Sequence, residues 1–235
     1  MTGLIVFDPL FFAIVGPVML VALWAQWRVK GTFAKYRAMP LRSGVSGAEA
    51  AAHILRAAGI GGVRIEEVPG MLSDHYDPRS RVVRLSGEVL RGRNAAAVAV
   101  AAHEVGHAIQ HAQAYRPMEW RAGLVPVVNF TSQLALPMLL FGLFLGIAQV
   151  AWMGVVMFAA ALLFHLVTLP VEFDASRRAI RILEGSGLAA GPEMTAVRKT
   201  LYAAGFTYVA ATAVAAANLL YWLLQSGLLG GRDQD

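Results

Sequence analysis

Residues 124–169 read LVPVVNFTSQLALPMLLFGLFLGIAQVAWMGVVMFAAALLFHLVTL, with no Lys, Arg, Asp or Glu anywhere in the run. An α-helix crosses the roughly 30 Å hydrocarbon layer of a bilayer in about 20 residues. This stretch is long enough to cross twice. It divides into one span over Leu124–Ile147 and another over Val150–Leu169, with only a few residues around Gln149 between them. The reading is a tight helical hairpin that reaches the far side of a membrane and returns. Two further apolar stretches lie outside it. One runs from Leu4 to Trp27, interrupted by Asp8, Gln26, Pro9 and Pro17, and the other from Phe206 to Leu224. Four such runs in 235 residues leave too little polar surface for a soluble protein to cover them.

Composition agrees. Hydrophobic residues make up 57% of the chain and charged residues 15%, against about 25% charged in soluble domains. The net charge of +5 does not point to nucleic acid, because the Lys and Arg lie beside apolar runs rather than among exposed aromatics. Fourteen of the 20 Lys and Arg fall between Arg28 and Arg121, and five more between Arg177 and Lys199, leaving only Arg232. Basic loops stay on the cytoplasmic side of a membrane. Both basic segments are therefore expected in the cytoplasm, with the Gln149 turn and both termini outside. The first span lacks a preceding basic residue and a small-residue cleavage pattern, so it is expected to be an anchor rather than a secretory signal. Trp24, Trp27, Trp120 and Trp222 stand near span ends, where the aromatic belts of membrane proteins lie.

The expected organisation is a first transmembrane helix (1–27), a cytoplasmic domain (28–122), the transmembrane hairpin (123–170), a cytoplasmic helical segment (171–204), and a fourth transmembrane helix with its tail (205–235). Within the first polar domain, Ser46 and Glu49 form a capping-box pattern that starts a helix, and Gly59 ends it. Val63–Val68 and Arg81–Leu85 read as strands, punctuated by Pro69-Gly70 and Asp77-Pro78. Asn94 caps a long Ala-rich helix reaching about Gln113. Beyond the hairpin, Glu172–Glu184 reads as a separate helix stopped by Gly185-Ser186-Gly187.

The Ala-rich helix carries His103-Glu104-Val105-Gly106-His107. Positions four apart share a helix face, so both imidazoles can turn toward one ion. Zinc takes neutral imidazole nitrogens at about 2.0–2.1 Å. Glu104 can reach water at that ion without ligating it, and can act as general base for attack on a peptide carbonyl. With no cysteine in the chain, any metal must be held by His and carboxylates.

A catalytic zinc needs a third protein ligand and an open position. The candidates are His111, Glu119, Glu172, Asp174 and Glu184. His103, His107 and His111 on one straight helix would spread over about 12 Å of rise, too far for one ion. The metzincin pattern would need glycine at Gln110 and histidine at Gln113, so that class is excluded. Glu172 is best placed, just past Leu169-Pro170-Val171 where the hairpin leaves the membrane. The positive-inside assignment, made without the motif, puts His103 and Glu172 on the same side.

Three blocks in this order resemble the YugP-like family of bacterial membrane zinc metallopeptidases: Pro69–Arg79 (PGMLSDHYDPR), Ala101–Gln110 (AAHEVGHAIQ) and Leu169–Ala179 (LPVEFDASRRA). The resemblance covers most of residues 30–205. That family is similar in design to the HtpX and CAAX-prenyl-type peptidases, gluzincins with a downstream Glu ligand. The resemblance implies one zinc per chain, with Glu172 as third ligand, in a bacterial plasma membrane. In gluzincins an Asp often stands four residues after that Glu and orients a ligand histidine. Here the position is Ser176. Asp174 occupies a place where YugP-like sequences often carry Asn. Both are candidates for holding a ligand from behind.

Other residues carry two readings each. His75 and Tyr76 are candidates to contact substrate or donate to the oxyanion from a strand edge, against a plain turn shaped by Asp77 and Pro78. His165 lies seven residues before Glu172 inside a span, either as a support for the site or as a histidine packed between helices. Arg177 can stabilise an oxyanion or face lipid headgroups. The expected fold is thus mainly α and integral to the membrane: about four transmembrane helices with a small α+β, zincin-like cytoplasmic domain. The expected function is zinc endopeptidase action on membrane or membrane-adjacent protein segments. The expected partners are a protein or peptide substrate and the lipid bilayer, with a membrane adaptor or a second copy of the chain as candidates. The alternative is a metal-binding membrane scaffold or adaptor without turnover, which would need no base at Glu104.

Overall fold

A computed structural model describes residues 8–226. The beginning of the first expected span, from Leu4, and the tail after Ser226 lie outside the described residues. The elements are α1 (Pro9–Arg37), α2 (Gly47–Ala57), β1 (Arg64–Val68), β2 (His75–Asp77), β3 (Val82–Ser86), α3 (Gly87–Arg91), α4 (Ala95–Ala112), α5 (Arg116–Leu145), α6 (Ala148–Ser186) and α7 (Pro192–Gln225). The protein is mainly α, and α1, α5, α6 and α7 are each long and apolar enough to cross a membrane. The chain divides into two compact units. One comprises Met1–Ala25, Trp120–Leu169 and Tyr208–Asp235, the other Gln26–Glu119 and Pro170–Thr207.

The first unit is apolar on its outside. Phe130, Phe141 and Phe144 are exposed, as side chains facing lipid should be. Its interior is built on Val15, Leu139, Val155, Ala217, Tyr221 and Trp222. The reversal between α5 and α6 falls at Gly146, ahead of Gln149, which already belongs to α6. Gly146 takes φ +68°, a left-handed conformation that costs glycine little. The Ile147 amide then bonds back to the Gly142 carbonyl at 2.9 Å, closing the helix end. Asp8, which interrupts the first apolar run, accepts from the Leu10 amide at 2.9 Å and from the Tyr221 hydroxyl at 2.8 Å. Its charge caps α1 and ties that helix to α7.

The second unit holds a three-stranded sheet of order β1-β3-β2. The sequence marks two strands; the structure has three, and β1 runs parallel to β3. The chain turns back twice between them. The first reversal uses Gly70 at φ +102° and Leu72 at φ +56°. At the second, the Asp77 carboxylate accepts from the Arg79 amide at 3.0 Å and the Ser80 hydroxyl at 2.5 Å. Two reversals restore the original direction, and β2 pairs antiparallel on the outer side of β3. Ser46 caps α2 as its pattern requires. Its hydroxyl accepts from the Glu49 amide at 3.2 Å, and Glu49 accepts from the Ser46 amide at 2.7 Å.

The helix expected over Glu172–Glu184 is not separate. It is the end of α6, which runs unbroken through Pro170. Proline removes one amide donor from a helix interior, yet helices near membranes tolerate this where neighbours satisfy the freed groups. Likewise α5 starts at Arg116 rather than Leu124, and α7 runs without a break from Pro192.

Alanine is the best helix former and the smallest side chain with a Cβ. Seven of the eight residues from Ala95 to Ala102 are buried, and α4 lies at the centre of the second unit. Asn94 caps it, its side-chain oxygen accepting from the Ala97 amide at 2.9 Å. Asn94→Ala is expected to destabilise the detergent-solubilised protein by about 1 kcal/mol, read as a fall in midpoint by thermal melting. No change would mean that water caps the helix equally well.

Candidate metal centre

His103 and His107 stand one turn apart on α4, with ring centroids 4.7 Å apart. Glu172 of α6 faces both. Its Oε2 lies 3.2 Å from His103 Nε2 and 3.6 Å from His107 Nε2. One ligand atom from each of the three residues falls within 4.8 Å of the others.

The close approach of α4 and α6 has a local cause. A Cβ on Gly106 would lie 2.6 Å from the Ala175 carbonyl oxygen and 3.2 Å from its Cα, well inside contact distance. Only glycine lets the two backbones come this near.

The far sides of both imidazoles are occupied. His107 Nδ1 lies 2.9 Å from Gln110 Oε1, and His103 Nδ1 lies 3.1 Å from Ser176 Oγ. The three inward donor atoms suit zinc. Tetrahedral bonds of about 2.05 Å place neighbouring ligand atoms about 3.3 Å apart, close to the two separations above. Two bare nitrogens beside a carboxylate oxygen would repel it unless a cation or a proton stood between. The chain itself shows that demand: burial works against charge on His107, but Glu172 and Glu104 outweigh it and raise its pKa.

Glu104 is buried at 8% exposure. Among the described residues no hydrogen bond or ion pair engages its carboxylate. Its charge acts on both His107 and Asp74. Asp74 accepts from the Ser86 amide at 2.7 Å and from the Ser86 hydroxyl at 3.1 Å. Burial, more than Glu104, pushes the Asp74 carboxyl up against these donors.

The remaining sequence candidates are more dispersed. Tyr76 is buried, but its hydroxyl pairs with His111 Nδ1 at 2.8 Å. Both line a cavity of about 360 Å³ with Ile60, Val63 and Arg81. His75 is exposed and bonds the Ser73 carbonyl at 2.8 Å. Strand side chains alternate, so His75 and Tyr76 do not face the same way. The α4-facing side of this stretch belongs to Asp74 and Tyr76. Arg177 is exposed, its guanidinium 3.9 Å from Asp174 Oδ1. The neighbouring Arg178 is the one held, by Asp174, by Gln113 Oε1 at 2.6 Å and over the Tyr115 ring at 5.7 Å. His165 packs edge-on against Phe164 in the first unit. Asp174 reaches the centre at one remove, accepting from Gln110 Nε2 at 2.9 Å. Gln110 itself was not singled out by the sequence. The available signal was a long polar residue three positions after His107, on the ligand face of a helix otherwise made of small and aliphatic residues.

Two imidazoles and a carboxylate on facing helices, in a chain with four membrane-type helices, define a membrane protein able to hold a metal ion. Comparison with known proteins narrows this class. Residues 11–227 match the family described as "Putative neutral zinc metallopeptidase". The chain is 45% identical over 215 residues to the "Putative membrane protease YugP" of Bacillus subtilis (strain 168), covering 92% of this chain and 95% of that protein. The chain therefore belongs to this zinc metallopeptidase family. No solved structure matches it.

Gly106→Ala tests the backbone contact. Alanine gains about 1 kcal/mol of helix propensity, whereas forcing an atom into a filled contact costs about 1–3 kcal/mol. We expect a lower melting temperature and weaker metal retention, measured by thermal unfolding and by metal analysis after dialysis. A variant as stable and as metal-rich as the parent would mean that α6 yields at Ala175.

Proposed function

We propose that the protein is a gluzincin-type zinc endopeptidase. His103, His107 and Glu172 hold the metal, and Glu104 acts as general base. The observation that carries the reading is Glu104, a largely buried residue one position past a donor of the three-residue group, whose carboxylate has no hydrogen-bond partner among the described residues and whose oxygens are not sealed from water. A site that only stores metal or braces a scaffold needs no base there.

Zinc bound at this site supplies a Lewis acid that polarises the scissile carbonyl and acidifies water. Glu104 takes the proton of the attacking water on its free carboxylate and delivers it to the leaving amine nitrogen. The Ser176 and Gln110 contacts hold the two imidazoles with Nε2 inward.

The substrate class follows from the sheet edge. Among the described residues β2 pairs only with β3 in the sheet order, and it packs on α4, which leaves an edge to which an extended peptide can add as a strand. The four membrane-type helices favour membrane or membrane-adjacent protein segments. A protein or peptide substrate and the bilayer are the proposed partners.

The purified protein is expected to bind one zinc per chain, and Glu104→Gln to keep that zinc while losing peptide hydrolysis by at least about 10²-fold. Metal analysis and cleavage of a quenched peptide library check this. Equal turnover by the two proteins, in preparations free of other proteases, would sink the enzymatic reading.

The basic residues support a cytoplasmic second unit, a multi-pass arrangement and termini outside, since each Lys or Arg at a span centre costs about 2.5–3.5 kcal/mol to insert. The chain has no cysteine, so single cysteines report sidedness without background. Arg79→Cys and Gly185→Cys, both at exposed positions, should label only from the cytoplasmic side, and Gln149→Cys only from outside. Labelling of the first two from opposite sides would separate His103 from Glu172 and reject the ligand set.

A further inference from the structure

We propose that Gln110 is a positioning residue that fixes which ring nitrogen of His107 carries the proton, and that Asp174 and Arg178 fix Gln110 in turn. The purpose of this arrangement rests on the metallopeptidase reading; the hydrogen bonds do not.

A glutamine amide can face either way, and only its neighbours decide. Here Gln110 Nε2 lies 2.8 Å from the Val171 carbonyl oxygen and 2.9 Å from Asp174 Oδ2. Both partners are acceptors with no hydrogen to give. The two amide hydrogens are therefore spent on them. Turning the amide over would set its oxygen against two other oxygens. The side chain is fully buried, at 0% exposure, so water cannot relieve that clash. Oε1 must be the atom that faces His107.

The consequence passes to the ring. Oε1 has no hydrogen, and it lies 2.9 Å from His107 Nδ1. Nδ1 must be the donor, which leaves Nε2 with a bare lone pair directed to the side of Glu172. Asp174 is kept as a charged acceptor by Arg178, one turn later on α6. Arg178 is anchored by Gln113 and the Tyr115 ring. Every link in the series Arg178, Asp174, Gln110, His107 thus has a defined donor and acceptor.

His103 is treated differently. Its partner, the Ser176 hydroxyl, can donate or accept, so it does not set the tautomer by itself. One proposed ligand is preset and the other adapts.

The test compares Gln110→Leu, Gln110→Glu and the double variant Gln110→Glu with Asp174→Asn. Zinc affinity is measured by chelator competition on the full-length protein in detergent. Partners behind a ligating histidine typically contribute 10- to 100-fold in metal affinity, so Gln110→Leu should weaken zinc by that factor. Gln110→Glu, nearly the same shape, should also weaken it, because its carboxylate meets Val171 and Asp174. The double variant exchanges donor and acceptor: the amide introduced by Asp174→Asn can donate to the carboxylate introduced by Gln110→Glu, which again accepts from His107. Its affinity should recover in part, above that of Gln110→Glu, since the Val171 carbonyl still lacks its donor. A packing role for Gln110 predicts no such recovery. Nitrogen-15 spectra of the metal-free protein at alkaline pH, with labelled histidine, should show His107 protonated on Nδ1 in the parent and shifted toward Nε2 in Gln110→Leu. A parent His107 protonated on Nε2, undiminished affinity in Gln110→Leu, or a double variant no better than Gln110→Glu would each overturn the inference. If the parent binds no zinc, the metallopeptidase reading falls, and the tautomer still decides this one.

Discussion

The contact of Gly106 with the backbone of Ala175 sets the register between α4 and α6. Around that point the two helices exchange polar groups in pairs. Glu172 and Ser176 are one turn apart on α6 and both reach His103. Asp174 and Arg178 are one turn apart on a neighbouring stripe, and Asp174 reaches Gln110. A side chain at position 106 would push α6 outward and loosen all of these at once. Helix geometry gives the reason: residues four apart share a face, so fixing one residue of α6 against α4 fixes both stripes. The three-donor group is thus a product of backbone proximity as much as of its own side chains.

The surroundings of the group make its polar atoms costly to leave unpaired. α4 is sheathed in Ala, Val and Ile, and a buried polar group without a partner costs about 1–3 kcal/mol. Among the described residues no buried side-chain nitrogen or oxygen lacks a partner. Gln110 satisfies its amide hydrogens on α6 and its oxygen on His107. The exception in kind is Glu104, a largely buried residue whose carboxylate makes no hydrogen bond of this sort. Its oxygens are not among the buried atoms that need a protein partner, so they stay open to water, as a base acting on water requires.

Much of this was legible in the sequence because it is local. The spacing of His103 and His107 needs only a helix, and Asn94 and the Ala-rich run supply one. The Ser46–Glu49 box declares its own start, and apolar length alone marks the four membrane-type helices. Relations between distant segments were less legible. Glu172 emerged only because the hairpin argument and the family resemblance converged on it. Gln110 carries no motif, since its importance lies in what Val171 and Asp174 are. The parallel pairing of β1 with β3 depends on counting two reversals, and the second is shaped by an Asp77 carboxylate that also resembles an ordinary turn residue. Pro170 reads as a boundary, yet α6 passes through it, because proline propensity is a local cost that packing can offset. His75 and Tyr76 drew attention by residue type, whereas strand alternation gives the α4-facing side to Asp74 and Tyr76.

The neutral residue behind His103 has its own rationale. At the position behind His103 this chain has Ser176. Three carboxylates already act on the same small volume: Glu172 on both imidazoles, and Glu104 and Asp74 on one another. Like charges at such range disfavour ionisation, and Glu104 adds to the burial that already raises the Asp74 carboxyl. A fourth carboxylate at Ser176, itself buried at 7% exposure, would add to that repulsion, and the neighbouring Arg178 is already engaged by Asp174. A hydroxyl supplies the hydrogen bond to His103 without the charge. The negative charge around the three donors is thereby kept to that of the carboxylates already there.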